Sequence, residues 1–221
     1  VFTHGYGVVA AYENTSEADG APKFAESNIP PSGKIDIDQP RVYFGEQSPA
    51  YSIVGSDGSQ PPIELDFPDD KSANGQTNNT YTGTGGVPIG NMIQRAIFAL
   101  NHQETNILLS NQIGPESKIL YDRDPKTRVA KVAPWLTLDG DPYPAIVDNK
   151  VQWIIDGYTT SSGYPYSRTV DVSGATTDAL NINSNPLTAI PNSTINYIRN
   201  SVKATVDAYD GTVTLYAWDE K

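Results

Sequence analysis

Aspartates are the residues of this sequence with the clearest potential for chemistry. Asp122 and Asp124 form one Asp-x-Asp pair, and Asp139 and Asp141 form another. Carboxylate oxygens bind Ca²⁺, but a calcium site needs about six to eight oxygens, and neither pair has the further ligands of an EF-hand loop. Asp124 has the position of a helix cap, and the second pair is typical of a turn. The sequence therefore predicts no metal site.

Carboxylates could also serve an enzyme that hydrolyses or transfers a cell-envelope polymer. Its catalytic groups would be Asp139, Asp141 or Asp156, together with Arg123. Such an enzyme needs two carboxyl groups at a fixed separation, which spacing along the chain does not establish. This hydrolase or transferase remains the alternative to a non-catalytic function.

Two other motifs are better explained by structure than by catalysis. His4 lies in Thr3-His4-Gly5-Tyr6-Gly7, but no nucleophile elbow occurs in the sequence, so a hydrogen-bonded structural histidine is predicted. Residues 82–88 are rich in glycine but lack the Lys-Ser/Thr ending of a phosphate-binding loop. They predict a structural turn.

Tyrosines cluster in the segment 158–166, which contains Tyr158, Tyr164 and Tyr166. A tyrosine offers a large contact area with a polar end, so the segment could be a recognition surface. A tyrosine- and proline-containing loop packed under the sheet is an equally good interpretation. Both interpretations stay open on sequence grounds.

Composition excludes several classes of function. The 221 residues are 38% hydrophobic, which fits a folded chain with a core. The net charge of −11 repels phosphate backbones and anionic lipid heads, so nucleic acid is not an expected partner. The absence of cysteine excludes disulfides and thiolate chemistry, and two histidines disfavour a histidine-rich metal site. No cofactor is predicted.

Helices are predicted in two places. One begins at Pro88 and carries an apolar stripe at helical spacing: Ile89, Met92, Ile93, Ala96, Ile97 and Leu100. The other begins with Asp124 as cap and Pro125 in its first turn, and ends before Pro134. The first stretch is too short and too polar to span a bilayer.

Hairpins are predicted at three places. Strands at 41–45 and 50–54 are predicted to pair, and so are 144–147 and 150–155 across Asp148-Asn149. At the C-terminus, Asp210-Gly211 predicts a two-residue loop. The expected pairs there are Ala208 with Val213, Val206 with Leu215, and Ala204 with Ala217.

The remaining pattern completes an α+β prediction. Residues 63–67 alternate apolar and acidic side chains, which predicts a strand with one wet face. Residues 69–86 predict a polar, mobile loop. Hairpins with two or three helices and no βαβ rhythm predict an antiparallel sheet with those helices packed on it.

Seven segments of the chain carry a family resemblance: 4–11 (HGYGVVAA), 106–110 (NILLS), 119–125 (ILYDRDP), 128–134 (RVAKVAP), 139–145 (DGDPYPA), 153–161 (WIIDGYTTS) and 197–211 (YIRNSVKATVDAYDG). Together they resemble one family, an uncharacterised group of bacterial multi-pass membrane proteins. The resemblance covers nearly the whole chain.

The resemblance implies that residues 1–221 are a single extracytoplasmic domain, a fragment of a longer protein whose transmembrane helices precede it. The parent would lie in the cell membrane, although the fragment itself does not span it. We expect a non-catalytic module that binds its own membrane-spanning portion, an envelope protein or a glycan. The resemblance implies no site residues.

Overall fold

In a computed structural model of the chain, residues 2–56, 61–172, 176 and 194–219 are described. The predicted domain 1–221 also includes residues 1, 57–60, 173–175, 177–193 and 220–221, which lie outside the described residues. The described residues contain three helices, α1 (Met92–His102), α2 (Asn106–Leu109) and α3 (Pro125–Val132). They also contain these strands: β1 (Gly5–Tyr6), β2 (Ala10–Ser16), β3 (Pro22–Ser27), β4 (Ser32–Gly33), β5 (Arg41–Val42), β6 (Tyr51–Val54), β7 (Glu64–Pro68), β8 (Gln76–Asn79), β9 (Val87–Pro88), β10 (Lys118–Tyr121), β11 (Thr137–Leu138), β12 (Tyr143–Val147), β13 (Lys150–Ser161), β14 (Val170–Asp171), β15 (Thr194–Ile195), β16 (Tyr197–Asp207) and β17 (Val213–Ala217).

Antiparallel pairing organises these strands into sheets. The largest has five strands in the order β11-β13-β16-β17, with β12 also paired to β13. Two three-stranded sheets have the orders β6-β10-β9 and β2-β3-β4. Shorter two-stranded ladders join β1 to β5, β7 to β8 and β14 to β15. The α+β prediction is therefore confirmed.

Three hydrophobic clusters hold the sheets and helices together. The first packs α3 on the five-stranded sheet through Val129, Ala133, Leu136, Leu138, Ile155, Ala204 and Val206. The second packs α1 and α2 on the sheet β6-β10-β9 through Ile89, Ile107, Ile113 and Ile119, with Phe98 and Ala99 partly buried against them. The third contains Tyr43, Phe44, Val54, Tyr81 and Leu120. Tyr43 and Phe44 also donate backbone N–H groups to the Ala208 carbonyl at 2.8 and 2.9 Å, which ties this third cluster to the five-stranded sheet.

Two local predictions are confirmed in detail. The Asp124 side chain accepts a hydrogen bond from the Thr127 N–H at 2.6 Å and caps α3, which Pro125 begins. The pair Asp148-Asn149 adopts positive φ at both residues and joins β12 to β13 in the predicted register. Both elements are encoded by adjacent residues, which is why a short stretch of sequence sufficed to predict them.

The first helix begins later than predicted. Pro88 lies in β9, which pairs with β10, and α1 begins at Met92. The Asn91 side chain accepts from the Gln94 N–H at 2.8 Å and so caps the helix. No helix in the described part of the chain is long and apolar enough to cross a membrane.

The predicted hairpin between 41–45 and 50–54 is wrong. Arg41–Val42 pairs with β1, and Tyr51–Val54 pairs with β10, more than sixty residues further along the chain. The segment 69–86, predicted as a loop, contains β8 and the buried Tyr81. Its mobility stays a prediction.

The C-terminal hairpin exists, but its predicted register is wrong by two residues. Val206 pairs with Val213, Ala204 with Leu215 and Val202 with Ala217. The loop is longer than predicted because the Asp207 carboxylate accepts from the N–H groups of Tyr209 and Asp210 at 2.8 and 3.2 Å.

Ala208 lies in this longer loop and not in a strand. Its N–H donates to the Val151 carbonyl at 3.0 Å, and its carbonyl accepts from the N–H groups of Tyr43 and Phe44. Its backbone is therefore used by tertiary contacts in place of the predicted pair with Val213.

Gly211 closes this loop with a φ of +75°, and a Cβ placed there would lie 2.7 Å from the Phe44 ring. We expect Gly211→Val to lower the free energy of unfolding by about 3 kcal/mol or more, from backbone strain and overpacking together. Gly20 has a φ of +86° with nothing within 4 Å, so Gly20→Val carries the strain without the clash. Chemical denaturation of both variants measures the difference. Equal losses in the free energy of unfolding of the two variants would show that the Phe44 ring moves aside at little energetic cost.

Candidate functional site

Strand β7 carries two acidic side chains that point inward. Glu64 is 5% exposed and Asp66 is 4% exposed, whereas Leu65 and Phe67 are half-buried. The predicted alternation of apolar and acidic residues is right. The prediction that the acidic side chains face solvent is wrong, because Glu64 and Asp66 lie in the interior. A buried carboxylate is stable only where hydrogen-bond donors replace water.

Four donors surround Glu64. One carboxylate oxygen accepts from the Thr3 hydroxyl and the Tyr43 hydroxyl, and the other accepts from the N–H groups of Gly55 and Tyr81, all at 2.9 Å. Burial and the Glu64 charge raise the pKa of Tyr43, so its hydroxyl remains a donor. The carboxylate joins four separate segments of the chain.

Asp66 is held by a cation and faces a histidine. Arg41 donates to both of its oxygens, from Nε at 2.8 Å and from Nη2 at 2.7 Å. This bond with Asp66 raises the pKa of Arg41. His4 Nε2 lies 3.4 Å from Asp66, and His4 Nδ1 donates to the Gly5 carbonyl at 2.9 Å. Burial lowers the pKa of His4.

Arg123 is the largest fully buried side chain of the described residues. It donates to the carbonyls of Tyr43 and Thr3 at 2.6 and 2.5 Å, and to the Ser52 hydroxyl at 2.6 Å. Burial lowers the pKa of Arg123 to about 10. We name the set His4, Arg41, Glu64, Asp66 and Arg123 the buried polar network.

The buried polar network is suited to holding strands together. It connects the segment that carries β1 with β5, β6, β7 and the turn after β10. Its carboxylates accept from donors within the protein, and the hydroxyls of Thr3, Tyr43 and Ser52 are each engaged in a hydrogen bond of the network. The structural interpretation of His4 fits this arrangement.

Asp139 and Asp156, which were proposed as catalytic groups together with Arg123, form their hydrogen bonds with other residues. Asp139 accepts from the Tyr158 hydroxyl at 2.7 Å and from the Asp141 N–H at 3.0 Å. Asp156 pairs with Lys203 and accepts from the Asn200 amide. In the described residues no group of three metal-binding side chains occurs.

Neither of the two clefts beside Thr3 has Asp139, Asp141 or Asp156 among the described residues of its lining. One, of about 350 Å³, is lined by Glu46, Arg123 and Trp153 among others. The other, of about 440 Å³, lies against β6 and contains Glu64. Among the described residues, each of these clefts has a single carboxylate in its lining.

The three tyrosines predicted as a recognition surface lie in two different settings. Tyr158 belongs to β13 and is half-buried, and burial together with its bond to Asp139 raises its pKa. Tyr164 is 56% exposed and stacks on Tyr197, with ring centroids 5.6 Å apart. Tyr166 is fully exposed. Their role in recognition stays a prediction.

Helix α1 turns its apolar stripe outward, which the sequence analysis missed. Met92, Ile93, Ile97 and Leu100 are 60, 75, 59 and 80% exposed, and Leu109 of α2 is 73% exposed. We name these five side chains the α1 outer face. An exposed apolar surface of this kind is typical of a docking site.

Arg95 explains why the helix faces this way. Its guanidinium donates to the carbonyls of Ile89, Ser110 and Ile113, which fixes this side of α1 against the neighbouring loops. Phe98 and Ala99 share that side and pack into the core beneath. The available sequence signal was Arg95 itself, which lies at helical spacing from Phe98 and Ala99 and opposite the apolar stripe, since an arginine held against the protein needs several acceptors at once.

Loss of the Glu64 charge should destabilise the fold, because an amide group turns an N–H toward donors that need an acceptor. We expect Glu64→Gln to lower the free energy of unfolding by about 2 to 4 kcal/mol. Asp70→Asn, at an exposed position just beyond β7, is the matched control with an effect below about 0.5 kcal/mol. Urea denaturation compares them, and similar values would refute the role given to Glu64.

The histidine in the buried polar network should make stability depend on pH. The pKa of His4 in the folded protein lies below its ordinary value of 6.5, so acidification protonates the unfolded chain first. This contribution to stability is complete above 6.5 and is lost as the pH falls below it. We expect His4→Gln to lose less stability than the wild type between about pH 7.5 and 5.5. His102→Gln is the control, and the same pH slope in all three proteins would contradict the prediction.

Comparison with known proteins assigns the chain to a family. A family profile described as "Uncharacterised protein family (UPF0182)" matches residues 1–221. A UPF0182 protein of Kineococcus radiotolerans is 53% identical over 221 residues, and one of Clavibacter michiganensis subsp. michiganensis is 54% identical over 219 residues. These alignments cover 100% and 99% of this chain. No solved structure matches the chain.

The same alignments cover 21% and 22% of those relatives, so the chain spans about a fifth of the length of the curated relatives it matches. A UPF0182 protein of Arthrobacter sp. (strain FB24), 53% identical over 224 residues, gives the same share of 22%. With its whole length matched, this chain belongs to the uncharacterised protein family UPF0182.

Proposed function

We propose that this chain is a non-catalytic, extracytoplasmic interaction domain of a longer bacterial membrane protein. Its task is to dock, through the α1 outer face, against another part of the same polypeptide. The observation that carries the proposal is the outward apolar stripe of α1. The membrane location rests on the resemblance of the sequence to multi-pass membrane proteins.

The α1 outer face has a substantial energetic reason to be covered. Fully burying an aliphatic side chain of this size is worth about 1.5 to 3 kcal/mol. Five such side chains at 59 to 80% exposure therefore hold several kcal/mol that burial would release. The orientation of α1 is fixed from beneath by Arg95, so the stripe has no route into the core of this domain.

The length of the relatives favours an occupant from the same polypeptide. About four-fifths of each relative lies outside the matched region. A surface on the same chain is present at a high effective concentration and spares most of the entropic cost of association. A modest apolar patch is then sufficient for stable docking.

A lipid surface is a poorer occupant for this face. Helices that lie on membranes usually carry lysine or arginine beside the apolar stripe. The basic residues of α1 are Arg95, which bonds inward, and His102, whose ring lies 4.5 Å from that of Tyr51. The net charge of −11 adds repulsion from anionic lipids.

The non-catalytic part of the proposal rests on how the carboxylates are used. Asp139 and Asp156 are bonded to neighbouring side chains of the five-stranded sheet, and Arg123 is bonded elsewhere. The hydrolase or transferase alternative would need these groups to converge in one cleft. It keeps a clear test, since replacement of one aspartate should then abolish turnover of an envelope polymer.

Single-cysteine labelling tests the docking proposal, because this chain has no cysteine of its own. Ile97→Cys should react with a maleimide at least tenfold more slowly in the longer protein than in the 221-residue chain, since docking buries it. Ala21→Cys, in an exposed turn, is the matched control and should react equally in both. A membrane-impermeant maleimide added to intact cells should still label Ala21→Cys if the domain is extracytoplasmic.

Three outcomes would overturn the proposal. Equal labelling of Ile97→Cys in both proteins would show that the α1 outer face stays open. Protection of Ile97→Cys in the isolated chain by phosphatidylcholine or phosphatidylglycerol vesicles would identify a lipid occupant. Protection of Tyr166→Cys in place of Ile97→Cys would move the docking surface to the tyrosine segment.

A further inference from the structure

The five-stranded sheet has one edge that is open and uncharged. Strand β17 pairs with β16 on one side, and the described residues place no strand on its other side. Its sequence, Val-Thr-Leu-Tyr-Ala, contains neither a charge nor a proline. Leu215 and Tyr216 are 38 and 51% exposed. Sheet edges usually carry a charge, a proline or a bulge that prevents pairing with another chain, and β17 carries none of them.

The opposite edge of the same sheet is protected in the usual way. Strand β12 contains Pro144, which has no N–H to offer to a further strand. The Asn149 carbonyl, in the turn between β12 and β13, accepts from the Asp38 N–H at 2.8 Å. The difference between the two edges indicates that β17 is open for a partner.

The hydrogen bonds to β16 show which backbone groups of β17 are available. The Asp207 N–H donates to the Thr212 carbonyl at 3.0 Å, and the Trp218 N–H donates to the Ser201 carbonyl at 2.9 Å. In an antiparallel ladder the bonded residues alternate. Even-numbered residues of β17 therefore bond to β16, and Val213, Leu215 and Ala217 direct their N–H and C=O groups outward.

We propose that β17 pairs antiparallel with β17 of a second copy of this chain, about a two-fold axis through Leu215. Two five-stranded sheets then form one continuous sheet of ten. Leu215 lies opposite Leu215 of the second copy, and Val213 lies opposite Ala217. These are the outward-bonding residues, so the register makes about six hydrogen bonds.

The side chains of this register are compatible with each other. Thr214 lies opposite Tyr216 and Thr212 opposite Trp218, so no like charges meet within the paired strands. On the side of the sheet that α3 covers, the two Leu215 side chains come together. Each is partly exposed in a single copy and becomes buried in the pair.

The charges beyond the paired strands are complementary. The same register sets Asp219 of one copy opposite Gly211 of the other. A cavity of about 340 Å³ adjoins Gly211 and is lined by Arg128 and by Lys131, the latter already paired with Asp122 in the same lining. Asp219 pairs with Arg199 within one copy, but that pair is partly exposed, so exchanging it for these cations costs little.

The net charge of −11 on each copy opposes the pairing. Screening by salt weakens this repulsion much more than it weakens backbone hydrogen bonds. The dimer should therefore become tighter as salt concentration rises. A contact held mainly by salt bridges would show the opposite dependence.

Sedimentation equilibrium of the 221-residue chain tests the pairing. We expect a monomer–dimer equilibrium whose dissociation constant falls between about 50 and 500 mM NaCl. Leu215→Lys and Leu215→Glu should each remain monomeric, because each places like charges opposite one another on the two-fold axis. An equimolar mixture of the two variants should recover the dimer, since Lys then faces Glu.

Matched variants separate pairing from folding. Thr214→Lys, on the other side of the sheet and opposite Tyr216, should leave the dimer within about threefold of the wild type. Leu215→Pro removes an outward N–H that is unused in the monomer and should abolish the dimer while thermal unfolding stays cooperative.

A wild-type chain that stays monomeric at every salt concentration would overturn the proposal. Dimers of Leu215→Lys as tight as those of the wild type would do the same. Failure of the Lys and Glu variants to rescue each other would show that Leu215 does not lie opposite itself. That result would assign the edge to a strand from elsewhere in the longer protein.

Discussion

Two carboxylates, Glu64 and Asp66, lie in the interior of this protein, and each carries a charge that water no longer stabilises. The cost of such burial falls only when donors surround the charge with good geometry. Here the donors come from distant parts of the sequence: Thr3, Arg41, Tyr43, Gly55 and Tyr81. Strand β7 is therefore buried in the folded protein only together with these segments.

This requirement explains why strands as short as β1 and β5 are stable. Each has two residues, too few for an isolated ladder. Arg41 of β5 is anchored by Asp66, and Thr3, just before β1, is anchored by Glu64 and Arg123. The buried polar network supplies the order that their few backbone hydrogen bonds could not. It also directs Arg123 to the carbonyls of Tyr43 and Thr3 and to the Ser52 hydroxyl, whereas Asp139 and Asp156 bond to other side chains.

Sequence reasoning succeeded where the signal was local and failed where a distant partner decided. Asp124-Pro125 and Asp148-Asn149 encode a cap and a turn within a few residues, and both were predicted to the residue. The C-terminal register was missed because Asp207 caps its own loop and Ala208 bonds to other segments. Likewise, a strand that alternates apolar and acidic residues normally turns its acidic side chains to solvent. In β7 the buried hydrogen-bond donors around Glu64 and Asp66 reverse that orientation.

Helix α1 shows the same limit for the candidate site. The apolar stripe was predicted, but the side that faces the core was chosen by Arg95 and its three carbonyl acceptors. Periodicity ranks the sides of a helix by hydrophobicity, and that ranking identifies the buried side only when every partner belongs to the same domain. A stripe left outside is therefore informative, because it is the observation from which we propose a partner outside these residues.

The α1 outer face lies on a helix that packs on the sheet β6-β10-β9, whereas β17 is part of the five-stranded sheet. The two sheets have different hydrophobic clusters. Filling one therefore need not disturb the packing beneath the other. The first is a rigid apolar helix surface suited to a partner present at high effective concentration. The second offers backbone hydrogen bonds, which do not depend on the identity of the added side chains and which a two-fold axis satisfies in pairs. A domain built in this way can dock against its own polypeptide and still join a second copy, so the two associations can be tested independently.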